Sequence, residues 1–205
     1  MLVIGITGGV GTGKTAVSSI LAELGSEVIY TDKLAHQLIL PDGPAYAQLV
    51  SAFGSGILAE DGTIDRRCLA QLAFAGRDEA GRINSIVHPL VAAAVEARLA
   101  ELARAATKPA ALVLDVPLLY ESGLDRLCDL VWVVDAQPAV QRRRVAGRDG
   151  AAAPGMLARE AWQMPMADKI RRADAVIDNS GCLERTRAQV KRLWCDHVEQ
   201  PGASG

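Results

Sequence analysis

Gly8-Gly9-Val10-Gly11-Thr12-Gly13-Lys14-Thr15 is the stretch that decides the fold. It fits G-x-x-x-x-G-K-S/T without a gap. An apolar run at residues 2–7 precedes it, and residues 14–24 read as a helix closed by Gly25. Glycines let a backbone turn tightly and point successive N–H groups at phosphate oxygens. The helix that follows adds its positive N-terminal end. Lys14 has the length to reach β- and γ-phosphates, and the Thr15 hydroxyl suits Mg²⁺. Gly9, Val10, Gly11, Thr12, Gly13, Lys14 and Thr15 are therefore the expected cradle of a nucleoside triphosphate.

Outward from this loop, short β-branched runs alternate with helical stretches. Residues 27–30, 110–115, 130–135 and 175–178 read as further strands. Strands alternating with helices predict an α/β fold on a parallel, doubly wound sheet, with its site at the carboxyl ends of the strands. Between residues 41 and 107 the strand signal fades into helices. Asp65 is expected to cap one and Asp78 a second. His88-Pro89 falls before or within a third, whose apolar positions recur at helical spacing up to Leu102. A single unit is expected: a core over 1–40 and 108–205, a helical insert over about 41–107, and a small lid over about 141–172. That last stretch carries seven arginines and one lysine against three acids, a net charge of +5, and its Gly- and Ala-rich portion at 147–155 reads as mobile.

The rest of the composition excludes several classes. The 205 residues carry a formal net charge of −2, which does not suit a generally basic nucleic-acid binder. No apolar run approaches the ~20 residues of a membrane span. No basic n-region or cleavage site marks a signal peptide. The four cysteines are widely spaced with no C-x-x-C pair, as expected of reduced thiols in the cytoplasm. A GTPase would want an N-K-x-D base-recognition motif, and none is present. A small ATP-dependent phosphotransferase fits better, since it needs a phosphate loop, an acceptor site and an arginine lid.

Three strand-end carboxylates are candidates for chemistry. Asp32 directly follows the run 28–31 and suits two roles, a base that accepts the proton of an attacking hydroxyl or an N-cap of the next helix. Asp115 ends an apolar strand, as an acid holding Mg²⁺ or its water does, and also as a turn residue does. Asp135 ends another strand, and the following Gln137-Pro138 favours an N-cap.

These residues together resemble the dephospho-CoA kinase family, from Leu2 to about Leu193. The marks are I-T-G-G-V-G-T-G-K-T at the loop, V-I-Y-T-D-K-L-A-H from Val28 and D-G-T-I-D-R-R-C-L from Asp61. I-V-H-P-L from Ile86, V-P-L-L-Y-E from Val116, Q-R-R-R-V-A-G-R-D from Gln141 and V-I-D-N-S-G from Val176 follow in order. The resemblance implies a P-loop nucleoside-triphosphate hydrolase type of fold: a five-stranded parallel core, a helical acceptor-binding insert and a lid. It implies transfer of the ATP γ-phosphate to the ribose 3′-hydroxyl of dephospho-CoA, with ATP and Mg²⁺. Carried over by position, Asp32 becomes the base, and Lys14 and Arg144 act on the transferring phosphate. Arg148, Asn179 and Gly181 lie at the nucleotide, the last two near adenine. Arg66, His88 and Leu118 are expected with Asp32 at the acceptor, and Thr15 with Asp115 at the metal. The expected partners are the two small-molecule substrates, with no nucleic acid, no membrane and no obligate protein partner. Another small-acceptor kinase, such as one acting on nucleoside monophosphates, is the enzyme alternative, and a nucleotide-dependent switch is the non-enzyme one. The chain departs from the family at Tyr30, where an acid is frequent, and at His36, where arginine is frequent.

Overall fold

The computed structural model describes residues 1–149 and 163–200. Its strands are β1 (Leu2–Thr7), β2 (Glu27–Tyr30), β3 (Ala111–Asp115), β4 (Leu130–Asp135) and β5 (Ala175–Asp178). They form one five-stranded sheet in the order β2-β3-β1-β4-β5. The pairs β1·β3, β1·β4 and β4·β5 are parallel, with Ile6 beside both Asp115 and Trp132. All five residues of β3 are buried, as are five of the six in β1, because a parallel sheet covered on both faces needs apolar side chains on both. The chain leaves β1 toward one edge of the sheet and later returns to pair β4 on its other side. Such a reversal opens a crevice at the strands' carboxyl ends, where ligands of open α/β sheets bind.

The helices are α1 (Lys14–Glu23), α2 (Thr31–Leu38), α3 (Tyr46–Phe53), α4 (Arg66–Ala75), α5 (Arg77–Arg104), α6 (Pro138–Asp149), α7 (Met166–Arg172) and α8 (Leu183–Trp194). The chain divides into two compact units, Met1–Ile29 with Ala105–Gly205, and Tyr30–Arg104. The first is built on Ile4, Ile6, Ile20, Leu21, Val113, Trp132, Ile177 and Trp194, which α1 and α8 press against the sheet. Each such side chain contributes about 1.5–3 kcal/mol on burial. The second has its own core of Ile39, Leu49, Ile57, Ile64, Leu69 and Ile83.

Three sequence expectations change. The helices expected at Asp78 and around His88-Pro89 are one 28-residue helix, α5, with Pro89 inside it. Proline there forfeits one backbone bond, to the carbonyl of Ser85. Pro89 and Ser85 are both exposed, so water reaches that carbonyl, while Ile83, Val91, Ala92 and Val95 bury the helix on either side. Asp135 is not an N-cap, because α6 starts at Pro138 and the Asp135 carboxylate instead accepts from the N–H of Ala136 at 2.8 Å. Proline's fixed φ favours it at the first helical position, which moves the start two residues on, from Ala136 to Pro138. Asp32 is not a cap either: α2 begins at Thr31 after Tyr30, and Asp32 stands exposed in the first turn. The Asp65 cap is present, its carboxylate accepting from Arg67 at 2.8 Å and Cys68 at 3.4 Å. Residues 150–162, the central part of the expected lid, lie outside the described residues.

Candidate active site

The phosphate loop joins β1 to α1 in backbone conformations only glycine tolerates. Gly11 and Gly13 have φ of 77° and 89°. A Cβ on Gly13 would stand 2.2 Å from Asn179 Nδ2, and one on Gly8 would stand 2.2 Å from the carbonyl of Val134. Thr12 is fully buried, and its hydroxyl donates to the Gly9 carbonyl at 2.9 Å. Lys14 Nζ donates to the Gly8 carbonyl at 3.0 Å, which folds the side chain back over the loop. Gly13 precedes α1 with no side-chain cap. The N–H of Ala16 donates to the Gly13 carbonyl at 3.0 Å, and main-chain N–H groups gathered at a helix N-terminus are the arrangement that binds phosphate. Val10 and Gly9 are half-buried in the turn, and Thr15 is exposed at the helix start.

Two residues fasten this loop from outside. Asn179, buried after β5, donates from Nδ2 to the Thr12 carbonyl at 2.7 Å and accepts from the Thr186 hydroxyl at 2.7 Å. Arg144 on α6 donates to the carbonyls of Thr12 at 3.2 Å and Asn179 at 2.8 Å. The main-chain N–H of Asn179 donates to the Asp135 carbonyl at 2.8 Å. Asn179 thus braces the loop through its side chain. Gly181 follows in an exposed turn before α8. Arg148 belongs to the last turn of α6, and its side chain lies outside the described residues.

Asp115, at the carboxyl end of β3, is 6% exposed and accepts from the Ser18 hydroxyl of α1 at 2.8 Å. That places a carboxylate beside the helix that carries Thr15. Oxygen donors of this kind fit Mg²⁺, a hard cation. Among the described residues no cluster of three or more His, Cys, Asp or Glu side chains could hold a metal. Leu118, half-buried, sits in the turn after β3, its carbonyl accepting from the N–H of Ser122 at 2.9 Å.

The second unit carries the other candidates. Asp32 projects from the first turn of α2, with Lys33 Nζ 4.5 Å from the centre of the Tyr30 ring. An open pocket of about 340 Å³ is lined by His36 of α2, by Ile39 and Leu40 just after it, and by Ile64, Asp65, Arg66 and Arg67 around the start of α4. Arg66 is exposed there. The structure thus brings Arg66 and His36 together at one pocket, whereas His88, half-buried on α5, is not among its lining residues.

Sequence reasoning missed one ion pair, whose lysine is buried and whose glutamate is half-buried. Lys169 on α7 is 1% exposed, donates to the Pro117 carbonyl at 3.0 Å and pairs with Glu121 at 3.1 Å. The signal in the sequence is slight, since Met166 and Lys169 lie three apart on one helix face.

The parallel sheet, the phosphate loop after its central strand and the carboxylate on the neighbouring strand define a nucleotide-dependent phosphotransferase of the P-loop kinase type. The family model described as Dephospho-CoA kinase matches residues 2–185. The chain belongs to the dephospho-CoA kinase family. A dephospho-CoA kinase of Geobacter metallireducens is 44% identical over 200 residues, covering 98% of each chain. One from Symbiobacterium thermophilum is 44% identical over 194 residues, 95% of this chain and 80% of that one. The crystal structure of a Thermus thermophilus protein superposes with a TM-score of 0.77 at 31% identity, covering 95% of this chain and 96% of that one. The Campylobacter jejuni dephospho-CoA kinase shares the fold with a TM-score of 0.68 at 22% identity, covering 96% and 97%.

Proposed function

We propose that this chain transfers the γ-phosphoryl group of ATP to the ribose 3′-hydroxyl of dephospho-CoA, giving coenzyme A and ADP, the last step of coenzyme A synthesis. The observation that carries the reading is a complete phosphate loop at the carboxyl end of β1 in a chain of this family. The loop N–H groups and Lys14 hold the phosphates and take up the charge that spreads over the transferring group. Arg144 and Arg148 add positive charge, for which the always-ionised planar guanidinium is suited. The acceptor oxygen attacks the γ-phosphorus, the bond to the β–γ bridging oxygen breaks, and the hydroxyl proton passes to the Asp32 carboxylate. Thr15 and Asp115 would hold Mg²⁺, which when bound neutralises phosphate charge.

At the acceptor, Arg66 suits an anionic group, and the apolar wall of Ile39, Leu40 and Ile64 suits the uncharged part of the molecule. Leu118 and His88 are assigned to acceptor binding by family position, and Gly181 to the nucleotide. No helix among the described residues is long and apolar enough to cross a membrane.

The test is ADP release with ATP, Mg²⁺ and dephospho-CoA, beside AMP, CMP and adenosine as rival acceptors, for wild type and Asp32→Asn. Turnover is expected with dephospho-CoA, falling about 10²–10⁴-fold in the variant with ATP binding intact. Preference for a nucleoside monophosphate would overturn the acceptor, and an Asp32→Asn enzyme of wild-type rate would overturn the base.

A further inference from the structure

Among the described residues Lys169 is the one lysine or arginine that is buried, and the mechanism above gives it no task. Burying an ammonium group costs several kcal/mol, which only a close partner and good hydrogen bonds offset. Both are present. Glu121 Oε1 lies 3.1 Å from Nζ, and the Pro117 carbonyl accepts from Nζ at 3.0 Å. Glu121 Oε1 also accepts from the N–H of Met164 at 2.6 Å, tying the start of α7 to the same carboxylate.

The Pro117 carbonyl has a second donor, the hydroxyl of Thr7, at 3.2 Å. Thr7 is fully buried and is the last residue of β1, immediately before Gly8. One residue earlier, the Ile6 carbonyl accepts from the N–H of Val116 at 2.9 Å. The turn after β3 is therefore stitched to the point where the phosphate loop leaves the sheet, and Lys169 holds that turn from behind. Met166, also on α7, reaches the loop directly: its Cε lies 3.2 Å from where a Cβ on Gly9 would stand. An apolar side chain at 169 would fill the space but leave the Pro117 carbonyl with the threonine as its sole side-chain donor. A packing role alone would not require a charge here.

We propose that Lys169 is a positioning residue of the nucleotide site, fixing through the Pro117 carbonyl and Thr7 the place where the phosphate loop begins, with Glu121 compensating its charge. The proposal rests on the phosphate-loop part of the function given above. Three variants test it. Lys169→Met with Glu121→Gln removes the buried ammonium and its counter-charge together, while Gln keeps an acceptor for Met164. Thr7→Val removes the other donor with little change in volume, and Glu121→Gln alone reports the cost of the charge imbalance. ADP affinity is measured by titration calorimetry, folding by thermal melting, and kcat and KM with both substrates.

A displaced loop loses both binding and rate, because small misplacements at a reacting group are costly. The double variant is expected to melt close to wild type, bind ADP about tenfold more weakly and lose about tenfold in kcat, with KM for dephospho-CoA unchanged. Thr7→Val is expected to move ADP affinity in the same direction by a smaller factor. A folded double variant with wild-type ADP affinity and kcat would overturn the proposal and leave the pair a packing device. If the double variant does not fold, Thr7→Val decides, and wild-type ADP affinity in it would overturn the proposal. The ADP titration needs no acceptor, so an enzyme inactive on dephospho-CoA would sink the acceptor assignment without touching this result.

Discussion

The phosphate loop and the pocket beside α4, proposed above to take the nucleotide phosphates and the acceptor, are built in opposite ways. The loop is made of main chain. Three of its four glycines, Gly8, Gly11 and Gly13, sit at positive φ with backbone or side-chain atoms where a Cβ would stand, and its carbonyls are clamped by Arg144 and Asn179. The pocket is made of side chains on helix ends, with Arg66 exposed and His36 half-buried. Backbone that is fixed on every side costs little reorganisation when phosphate arrives. Exposed arginines must give up rotamer freedom on binding, which lowers what each contact contributes. The comparison therefore assigns shape-critical positions to the first region and tunable ones to the second.

Three substitutions or probes would break or sharpen that contrast. The largest effect is expected from Gly13→Ala. A side chain there is strained at φ 89° and meets Asn179 Nδ2, and about 3 kcal/mol of strain is about a hundredfold in ADP affinity by calorimetry. Near-normal ADP binding by this variant would mean that the loop yields and that the contrast is false.

Arg66→Ala should act more narrowly. Loss of one charge-assisted hydrogen bond of about 1.5–3 kcal/mol raises KM for dephospho-CoA about 10–100-fold, with ADP affinity unchanged. An equal loss of ADP affinity would erase the distinction between the two regions.

The smallest effect is a labelling order. Burial, with Asp125 and Asp129 nearby, pushes the Cys128 thiol up to about 12, whereas Cys182 is exposed and Cys68 half-buried. Since the thiolate is the nucleophile, a maleimide at pH 8 should modify Cys182 first and Cys128 last, as peptide mass spectrometry would read. The neutral thiol is the form the fold favours. Its contribution to stability is intact below pH 9.0, the unperturbed value, and drains away as pH rises toward about 12. Labelling of Cys128 ahead of Cys68 would show the packing beneath β1 to open more readily than the unit that carries the pocket.

The sequence by itself determined the α/β class, the strands and the phosphate loop. Each of these is written in neighbouring residues: apolar runs bounded by glycine, a Lys-Thr pair at fixed spacing, and an Asp65 cap two and three residues before the N–H groups it holds. Local chemistry leaves a local trace, and the family resemblance followed from the ordered set of such traces. Tertiary structure alone decided what distant residues do for one another. Asn179 reaches Thr12 across 167 positions, and its side-chain amide holds the loop there. Pro89 does not end a helix, because burial on either side of it outweighs one lost backbone bond. Lys169 reads as one more cation in a basic stretch until the fold buries it against Glu121 and Pro117. Burial and hydrogen-bond partners are properties of three-dimensional neighbours, and the chain alone does not state which residues those are.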